Sequence, residues 1–263
     1  AVSILRAILA QGGDHPPVIR VAAPTGKAAM RLAEAIGQTG IPDVVTVQTL
    51  HRLLGVRANG RDYRHGPGNP LPVDVVLVDE VSMVDLPMMH RLLMALPAEA
   101  RLILLGDPDQ LPSVETGNML TDICRPEPDR HLLAEAIRRL ETNYRFDAAK
   151  GIGRLSREVR SGAITSTADD DEISFHRPVD LVPEHLLQIF SAYTVALKGE
   201  SHHDLQQSFE AARILCPVRD GEFGVVALNE AVETALSAAG LINTGERYYH
   251  GRPILITRND YNL

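Results

Sequence analysis

The stretch that decides the fold is Val73-Asp74-Val75-Val76-Leu77-Val78-Asp79-Glu80, followed by Arg101-Leu102-Ile103-Leu104-Leu105-Gly106-Asp107-Pro108-Asp109-Gln110. Each half begins with a short apolar run and ends abruptly in carboxylates. Runs of this length predict strands buried on both faces, as in a parallel sheet that helices cover on both sides. In open α/β sheets, ligands bind beyond the carboxyl ends of the strands. We therefore expect a functional site at that edge.

The side chains expected at this edge suit nucleotide hydrolysis. A carboxylate such as Asp79 can hold a Mg²⁺ ion that bridges the β- and γ-phosphates, and Glu80 can orient or deprotonate the attacking water. Gln110 is long enough to reach a γ-phosphate and carries no charge to repel it. An Asp-Glu pair alone is equally typical of the polar start of a loop. The Gly-Asp-x-x-Gln that follows the next strand favours the site.

Composition narrows the class of protein. The 263 residues suffice for one large or two medium domains, and 44% of them are hydrophobic. No apolar run approaches the length of a membrane span, and the start lacks the features of a signal peptide. We therefore expect no membrane partner. Cys124 and Cys216 lie far apart and match no metal spacing, which argues against a disulfide scaffold or a zinc site and predicts a protein of the reducing cytoplasm. The net charge of −8 does not indicate nucleic-acid binding, although a local basic groove would still permit it.

The flanking segments continue the alternation of helices and strands. Periodicity predicts helices over residues 1–11, 28–36, 86–96, 186–197 and 225–239. Strands are predicted over residues 18–23, 44–47, 213–218 and 254–257, with a short one near Ile173 and Phe175. The polar, Gly- and Pro-rich segment 59–71 is predicted to be a solvated loop, and the domain junction is expected near residues 140–150.

The turn Pro24-Thr25-Gly26-Lys27 superficially suggests an ATP-binding loop. A P-loop requires Gly-x-x-x-x-Gly-Lys-Ser/Thr, but Val21 stands at the first glycine and Ala28 at the metal-binding hydroxyl. The glycine lets the backbone curl around phosphate, and the hydroxyl ligates Mg²⁺, so we reject this turn as an ATP loop. Its exposed amides, with Thr25 and Lys27, could still hold the phosphate of a DNA backbone.

Four segments together resemble a known family. They are similar, in the family's order, to motifs Ia, Ib, II and III of superfamily 1 helicases of the RecD type: Ala23–Ala29, Thr49–Gly55, Val78–Asp85 and Leu105–Val114. The resemblance is specific from about Val18 to Asn118. It resumes at Asn143-Tyr144-Arg145-Phe146, which is similar to motif IV, and again from Arg213 to Leu263.

The resemblance implies roles for individual residues. Asp79 would bind Mg²⁺, Glu80 would activate water and Gln110 would sense the γ-phosphate, with Gly106 and Asp107 beside the nucleotide. Arg145, from the second domain, would stabilise transition-state charge, although an arginine after an aromatic residue is also common on surfaces. Tyr144 would stack on adenine.

The resemblance also implies a track for single-stranded DNA. His51 alone is more typical of a packed or capping histidine than of a ligand, so its role depends on its neighbours. The implied lining residues are Pro24, Thr25, Lys27, Thr49 and His51.

For the fold, the resemblance implies the α/β class with two RecA-like domains of the P-loop NTPase type. These would be residues 1–142 and 143–263, both incomplete, with mostly parallel sheets flanked by helices and a variable insertion at about 161–207. The family's P-loop precedes the first helix, and its last motifs follow the position of Leu263. We therefore expect an internal part of a longer motor, inactive by itself.

For function, the resemblance implies an ATP- and Mg²⁺-dependent DNA helicase that moves 5′ to 3′ on single-stranded DNA. It would act on single-stranded and duplex DNA as a subunit of exodeoxyribonuclease V with RecB and RecC, in double-strand break repair and recombination. Two alternatives stay open. One is a free-standing helicase of the RecD2 or Pif1 type, and the other is a DNA-binding or assembly module that does not hydrolyse ATP.

Overall fold

The computed structural model describes residues 1–13, 15–42, 45–57, 62–111, 119–125, 131–140, 142, 144, 146–147, 150–164, 172–177, 182–199 and 201–255. The chain divides into two compact units, Ala1–Thr142 and Asn143–Leu263. Each unit has its own hydrophobic core. No helix of the described ranges has both the length and the apolar character needed to cross a membrane.

The first unit is built on a sheet of four parallel strands. They are β1 (Ile19–Ala23), β2 (Thr46–Thr49), β3 (Val75–Val78) and β4 (Arg101–Leu104). Their spatial order is β2-β1-β3-β4, and every neighbouring pair is parallel. The predicted α/β class with a RecA-like parallel sheet is thereby confirmed. β2 begins later than the predicted strand over residues 44–47, of which residue 44 lies outside the described ranges.

Helices cover both faces of this sheet. The helices of the first unit are α1 (Val2–Gln11), α2 (Gly26–Gly37), α3 (Leu50–Leu53), a 3-10 turn (Val81–Met83), α4 (Leu86–Ala95), α5 (Met119–Cys124) and α6 (His131–Ala134). Residues of α1 and α2 enter the core on one face, and residues of α3, α4 and α5 enter the core on the other. Asp85 caps α4, because its Oδ1 accepts a hydrogen bond from the Met88 N–H at 2.7 Å, and Pro87 suits the first helical turn, where its missing N–H costs nothing.

Strand β3 shows how the sheet divides the core. Val75 and Leu77 pack into one cluster with residues of α1 and α2, whereas Val76 and Val78 pack into the other with residues of α3 and α4. Successive side chains of a strand point to opposite faces, so an uninterrupted apolar run is what a strand covered on both sides requires. The sheet thus lies between two apolar layers that cover its faces, and the polar segments follow its strands at the carboxyl edge.

Segment 62–71 is more ordered than the predicted solvated loop. Val56 and Tyr63 form an antiparallel bridge, as do Gly66 and Asn69. Leu71 is buried, and Tyr63 packs against the core cluster of α3 and α4. The described part of the segment is otherwise irregular and mostly exposed, as predicted, and residues 59–61 lie outside the described ranges. The inward packing of Tyr63 and Leu71 was not predicted, because a single tyrosine and a single leucine give too little periodicity to reveal it.

All the regular secondary structure among the described residues of the second unit is helical. Its helices are α7 (Gly151–Ser161), α8 (Pro183–Ile189), α9 (Ser191–Ala196), α10 (His202–Glu210) and α11 (Val225–Ala238). Tyr193, Leu197, Leu236 and Ile242 form its buried core. The single helix predicted over 186–197 is two helices that meet at Phe190.

The strands predicted for the second unit are wrong where the structure describes them. The structure assigns irregular backbone rather than strands to residues 213–218, to Ile173 to Phe175, and to Ile254 with Leu255. Leu215 is 92% exposed, and Ile254 and Leu255 are also exposed. β-branched composition favours a strand only where a neighbouring strand completes the ladder, and composition alone does not specify that neighbour. Residues 256 and 257 of the last predicted strand lie outside the described ranges.

Candidate functional site

The carboxyl edge of the sheet brings the predicted residues together in four neighbouring segments. Asp79 and Glu80 follow β3, and Gly106 to Gln110 follow β4. The turn Pro24–Lys27 follows β1, and Thr49–His51 follows β2. The strand order therefore places these segments side by side, with β1 between the carboxylates and the histidine turn.

Backbone hydrogen bonds hold the carboxylate segments in register with the sheet. The Asp79 N–H donates to the Ala22 carbonyl at 2.9 Å, and the Leu105 N–H donates to the Val78 carbonyl at 2.8 Å. The Val81 N–H then donates to the Leu105 carbonyl at 3.0 Å. The two strand ends are thus joined beyond the last ladder pair, so Asp79 and Glu80 stand on rigid backbone.

Glu80 has an unusual backbone conformation. Its φ of 56° and ψ of 41° lie in the left-handed region, and it is the one non-glycine residue with positive φ in the described ranges. The conformation costs about 1–2 kcal/mol for a residue with a Cβ. It lets the chain turn from β3 into the 3-10 turn, and the Glu80 N–H donates to Asp79 Oδ1 at 3.0 Å. The strain is a local feature of the strand end where the sequence analysis placed the water-activating carboxylate.

Gly106 lies where the end of β4 passes the 3-10 turn. A Cβ at this position would be 2.7 Å from Leu120 Cδ2, 3.1 Å from the Val81 nitrogen and 3.3 Å from the Ser82 nitrogen. Close packing therefore disfavours a side chain at position 106. This packing role was not predicted from the sequence, where Gly106 was assigned to the nucleotide.

Ser82 is a site residue that the sequence analysis missed. It is buried, at 6% exposure, and its hydroxyl donates to Gln110 Oε1 at 3.5 Å. Nearby, Asp107 Oδ1 accepts from the Asp109 N–H at 3.0 Å. These bonds orient the loop after β4 and link Gln110 to the segment that follows Glu80. The signal available in the sequence was a hydroxyl two residues after the Asp-Glu pair.

The two turns predicted to contact DNA are also helix N-termini. Thr25 Oγ1 accepts from the Ala28 N–H at 3.2 Å and caps α2, and Thr49 Oγ1 accepts from the Arg52 N–H at 3.3 Å and caps α3. The turns are adjacent because Ala23 pairs with Thr49 in the sheet. Both threonines are partly buried with Pro24, whereas Lys27 and His51 are exposed at this edge.

The predicted residues of the second unit are only partly described. Tyr144 is 93% exposed. Arg145 lies outside the described residues. The roles assigned to both stay predictions.

The side chains at the carboxyl edge fit a cation held mainly by a nucleotide. Within the described residues, no three His, Cys, Asp or Glu side chains converge to form a metal cage. Mg²⁺ needs no such cage, because it keeps several waters and binds through one or two carboxylates plus substrate phosphates. Asp79, with one oxygen bonded to the Glu80 amide, has remaining lone pairs for this role.

Several known proteins are similar to this chain in sequence or in structure. Residues 2–116 match a family model described as an AAA domain. The chain is 37% identical to the RecBCD enzyme subunit RecD of Mycolicibacterium smegmatis, over 100% of this chain and 50% of that protein. It is 32% identical to the ATP-dependent RecD2 DNA helicase of Deinococcus radiodurans, over 93% of this chain and 30% of that protein. Unliganded Pif1 from Bacteroides sp. matches with a TM-score of 0.28 and 22% identity, over 46% of this chain and 29% of that chain.

The four-stranded parallel sheet, covered by helices on both faces, defines a RecA-like α/β domain. Within that class, the chain is similar to RecD subunits of RecBCD enzymes, at 33–39% identity over 93–100% of its own length. It spans about half the length of the RecD relatives it matches.

Proposed function

We propose that this chain forms part of an ATP-dependent DNA helicase of the RecD and Pif1 kind. The observation that carries the proposal is the arrangement of four segments along one sheet edge. Two of them present the side chains of nucleotide hydrolysis, and the two beside them present helix N-termini and exposed cationic or aromatic side chains suited to a DNA backbone.

In this proposal the residues after β3 and β4 perform the chemistry. Asp79 would hold Mg²⁺, which neutralises the phosphate oxygens when it is bound with ATP. Glu80 orients a water and accepts its proton on a carboxylate oxygen, and its left-handed backbone fixes the direction of that side chain. Gln110 contacts the γ-phosphate, and the Ser82 hydroxyl holds its amide in place. Gly106 and Asp107 line the nucleotide.

β1 connects the hydrolysis segments to the DNA-binding turns. The Ala22 carbonyl accepts the Asp79 N–H, and three residues later Thr25 caps α2. Ala23, which follows Ala22 in β1, pairs with Thr49 of the other proposed DNA-binding turn. A small shift at Asp79 therefore reaches both turns through one strand. We propose that nucleotide state changes the grip on single-stranded DNA in this way, at Pro24, Thr25, Lys27, Thr49 and His51.

Finer features of the proposal rest on the relatives. The name of the Mycolicibacterium smegmatis protein places it in a RecBCD enzyme, and we propose a similar assembly with RecB and RecC for this protein. Movement from 5′ to 3′, a role in break repair, and a cytoplasmic location belong to the same proposal. Residues 143–263 would be the second motor domain, with Arg145 and Tyr144 acting on the nucleotide.

The test is Glu80→Gln in the full-length protein. This substitution keeps size and hydrogen bonding but removes the base, so ATP turnover should fall by about 10²-fold or more, with ATP affinity within a few-fold of the wild type. The matched control is Glu99→Gln, an exposed glutamate between α4 and β4, at the opposite edge of the sheet. Near-normal turnover in Glu80→Gln would show that Asp79 and Glu80 are only the end of a strand.

A further inference from the structure

Two histidine rings come together in the second unit. His202 is the first residue of α10, and His250 lies in a turn that follows α11. Their ring centroids are 6.4 Å apart, with 48° between the ring planes. Both residues are exposed, so an ion can reach the pair from solvent. Neither residue belongs to the segments proposed above to hydrolyse ATP or to bind DNA.

The turn that carries His250 is fixed to the helices of the second unit on both sides of the histidine. The Tyr193 hydroxyl of α9 donates a hydrogen bond to the Gly251 carbonyl. The Tyr249 hydroxyl donates to Glu233 Oε1 of α11 at 2.9 Å. The residues before and after His250 are therefore both held, and the backbone that presents its ring is preorganised.

Packing between α10 and this turn places the two histidines side by side. A Cβ built on Gly251 would lie 3.5 Å from Leu205 Cδ2, so the backbone next to His250 approaches α10 closely. Leu205 lies three residues after His202, and side chains with this spacing share one face of a helix. The hydroxyl of Ser201 caps the start of α10. The approach of the two rings thus follows from packed and capped elements, and not from the side-chain rotamers alone.

A pair of imidazoles is a ligand set for divalent transition metals. Neutral imidazole nitrogen suits ions such as Zn²⁺, Cu²⁺ and Ni²⁺, whereas Mg²⁺ and Ca²⁺ prefer oxygen ligands. A Zn–N bond of about 2.0–2.1 Å puts two rings that share the ion about 5–6 Å apart, centroid to centroid. A small rotation of either exposed side chain brings the rings of His202 and His250 to that separation. The described residues supply no third His, Cys, Asp or Glu to this pair, so water completes the coordination.

We propose that His202 and His250 bind one divalent transition metal ion, which clamps the turn after α11 to the start of α10. The two histidines are distant in sequence, and a metal that closes a long loop of chain stabilises the folded state. The site lies within the second unit and uses no residue of the sheet edge. The inference is therefore independent of the proposed helicase function.

The experiment is a calorimetric titration of the full-length protein with Zn²⁺ alone, in a buffer without chelating groups. The wild type should bind one ion at this site. His202→Ala and His250→Ala should each weaken that binding by at least about tenfold, since even the loss of a group that only supports a metal ligand costs about 10–100-fold. The double variant should bind no more weakly than either single variant, because both rings serve the same ion. Excess Mg²⁺ should not displace the Zn²⁺.

His203→Ala is the matched control. His203 is the next residue of α10 and is also exposed, but adjacent residues of a helix project about 100° apart around its axis. Its Nδ1 lies 3.6 Å from Asp204 Oδ1. Replacing His203 should leave the affinity for Zn²⁺ unchanged. Because the chain contains 10 histidines, this control separates binding by the pair from binding scattered over single histidines.

Thermal unfolding provides a second measurement of the same site. Zn²⁺ should raise the melting temperature of the wild type and of His203→Ala, since an ion that binds the folded state stabilises it. It should leave the melting temperatures of His202→Ala and His250→Ala unchanged. With a chelator present, the wild type and all three variants should melt together, which would show that the substitutions do not disturb the fold.

Three outcomes would overturn the proposal. The first is a wild type that binds no Zn²⁺. The second is an affinity in His202→Ala and His250→Ala equal to that of the wild type. The third is a loss of affinity in His203→Ala as large as in the other two variants, which would mean that any exposed histidine of the chain contributes equally.

Discussion

Replacing Gly106 by alanine should strain the contact between the end of β4 and the 3-10 turn. The new Cβ would be 2.7 Å from Cδ2 of Leu120, whose side chain is buried in the core, so moving this methyl aside disturbs the packing around it. It would also be 3.1 and 3.3 Å from the nitrogens of Val81 and Ser82, which are backbone atoms that must shift by a few tenths of an ångström. Overpacking of this kind costs about 1–3 kcal/mol. We expect a cost near the middle of that range and a melting temperature lower by about 2–8 °C.

Denaturant unfolding of the full-length protein measures this cost, and a double-mutant cycle locates it. Leu120→Ala alone should destabilise by about 2–5 kcal/mol, because it empties part of the core. In that background the cost of Gly106→Ala should fall below about 1 kcal/mol, since only the two backbone contacts remain. Gly68→Ala is the control, because no atom lies within 4 Å of its Cβ position.

Two outcomes would refute this reasoning about Gly106. The first is an unfolding midpoint for Gly106→Ala equal to that of the wild type. The second is a cost that stays the same after Leu120→Ala, which would mean that the two positions do not touch. Because the 3-10 turn carries Ser82 and follows Glu80, we also expect slower ATP turnover in Gly106→Ala at temperatures where it remains folded.

Two further predictions concern a cap and a phenol. Thr25→Ala should destabilise the first unit by about 1 kcal/mol, since α2 loses its capping bond to the Ala28 N–H; denaturant unfolding checks this, and an unchanged midpoint would contradict it. Burial, together with the hydrogen bond to Glu233, raises the pKa of the Tyr249 phenol from 10.0 to about 12. The protonated phenol therefore contributes its full stability below about pH 10, and this contribution is lost as the pH rises through about 12. Tyr249→Phe should remove this alkaline loss, measured by denaturant unfolding as a function of pH, and an equal loss in both proteins would show that other groups cause it.

The sheet and its carboxyl edge were predictable from sequence because local pattern determines them. The apolar runs of β3 and β4 specify burial on both faces, and parallel strands must end at a common edge. The same local reasoning placed Asp79, Glu80 and Gln110 together. Local pattern could not predict the contacts between segments that are distant in sequence, such as those of Ser82 with Gln110 and of Gly106 with Leu120.

The errors in the second unit have the same origin. Residues 213–218 have strand composition, but a strand exists only through its partner, which composition does not specify. Helix α10 was not predicted, because it buries no residue and its sequence therefore shows little apolar periodicity. Its local signal was Ser201, whose hydroxyl accepts from the Asp204 N–H and caps the helix.

The most direct test of the central claim is single-turnover ATP hydrolysis by the full-length protein with and without single-stranded DNA. If the hydrolysis segments and the DNA-binding turns share one sheet edge and communicate through β1, the strand should accelerate hydrolysis in the wild type. Glu80→Gln should bind the strand normally and remain slow in both conditions. A wild-type rate that does not change when the strand is bound would contradict the account.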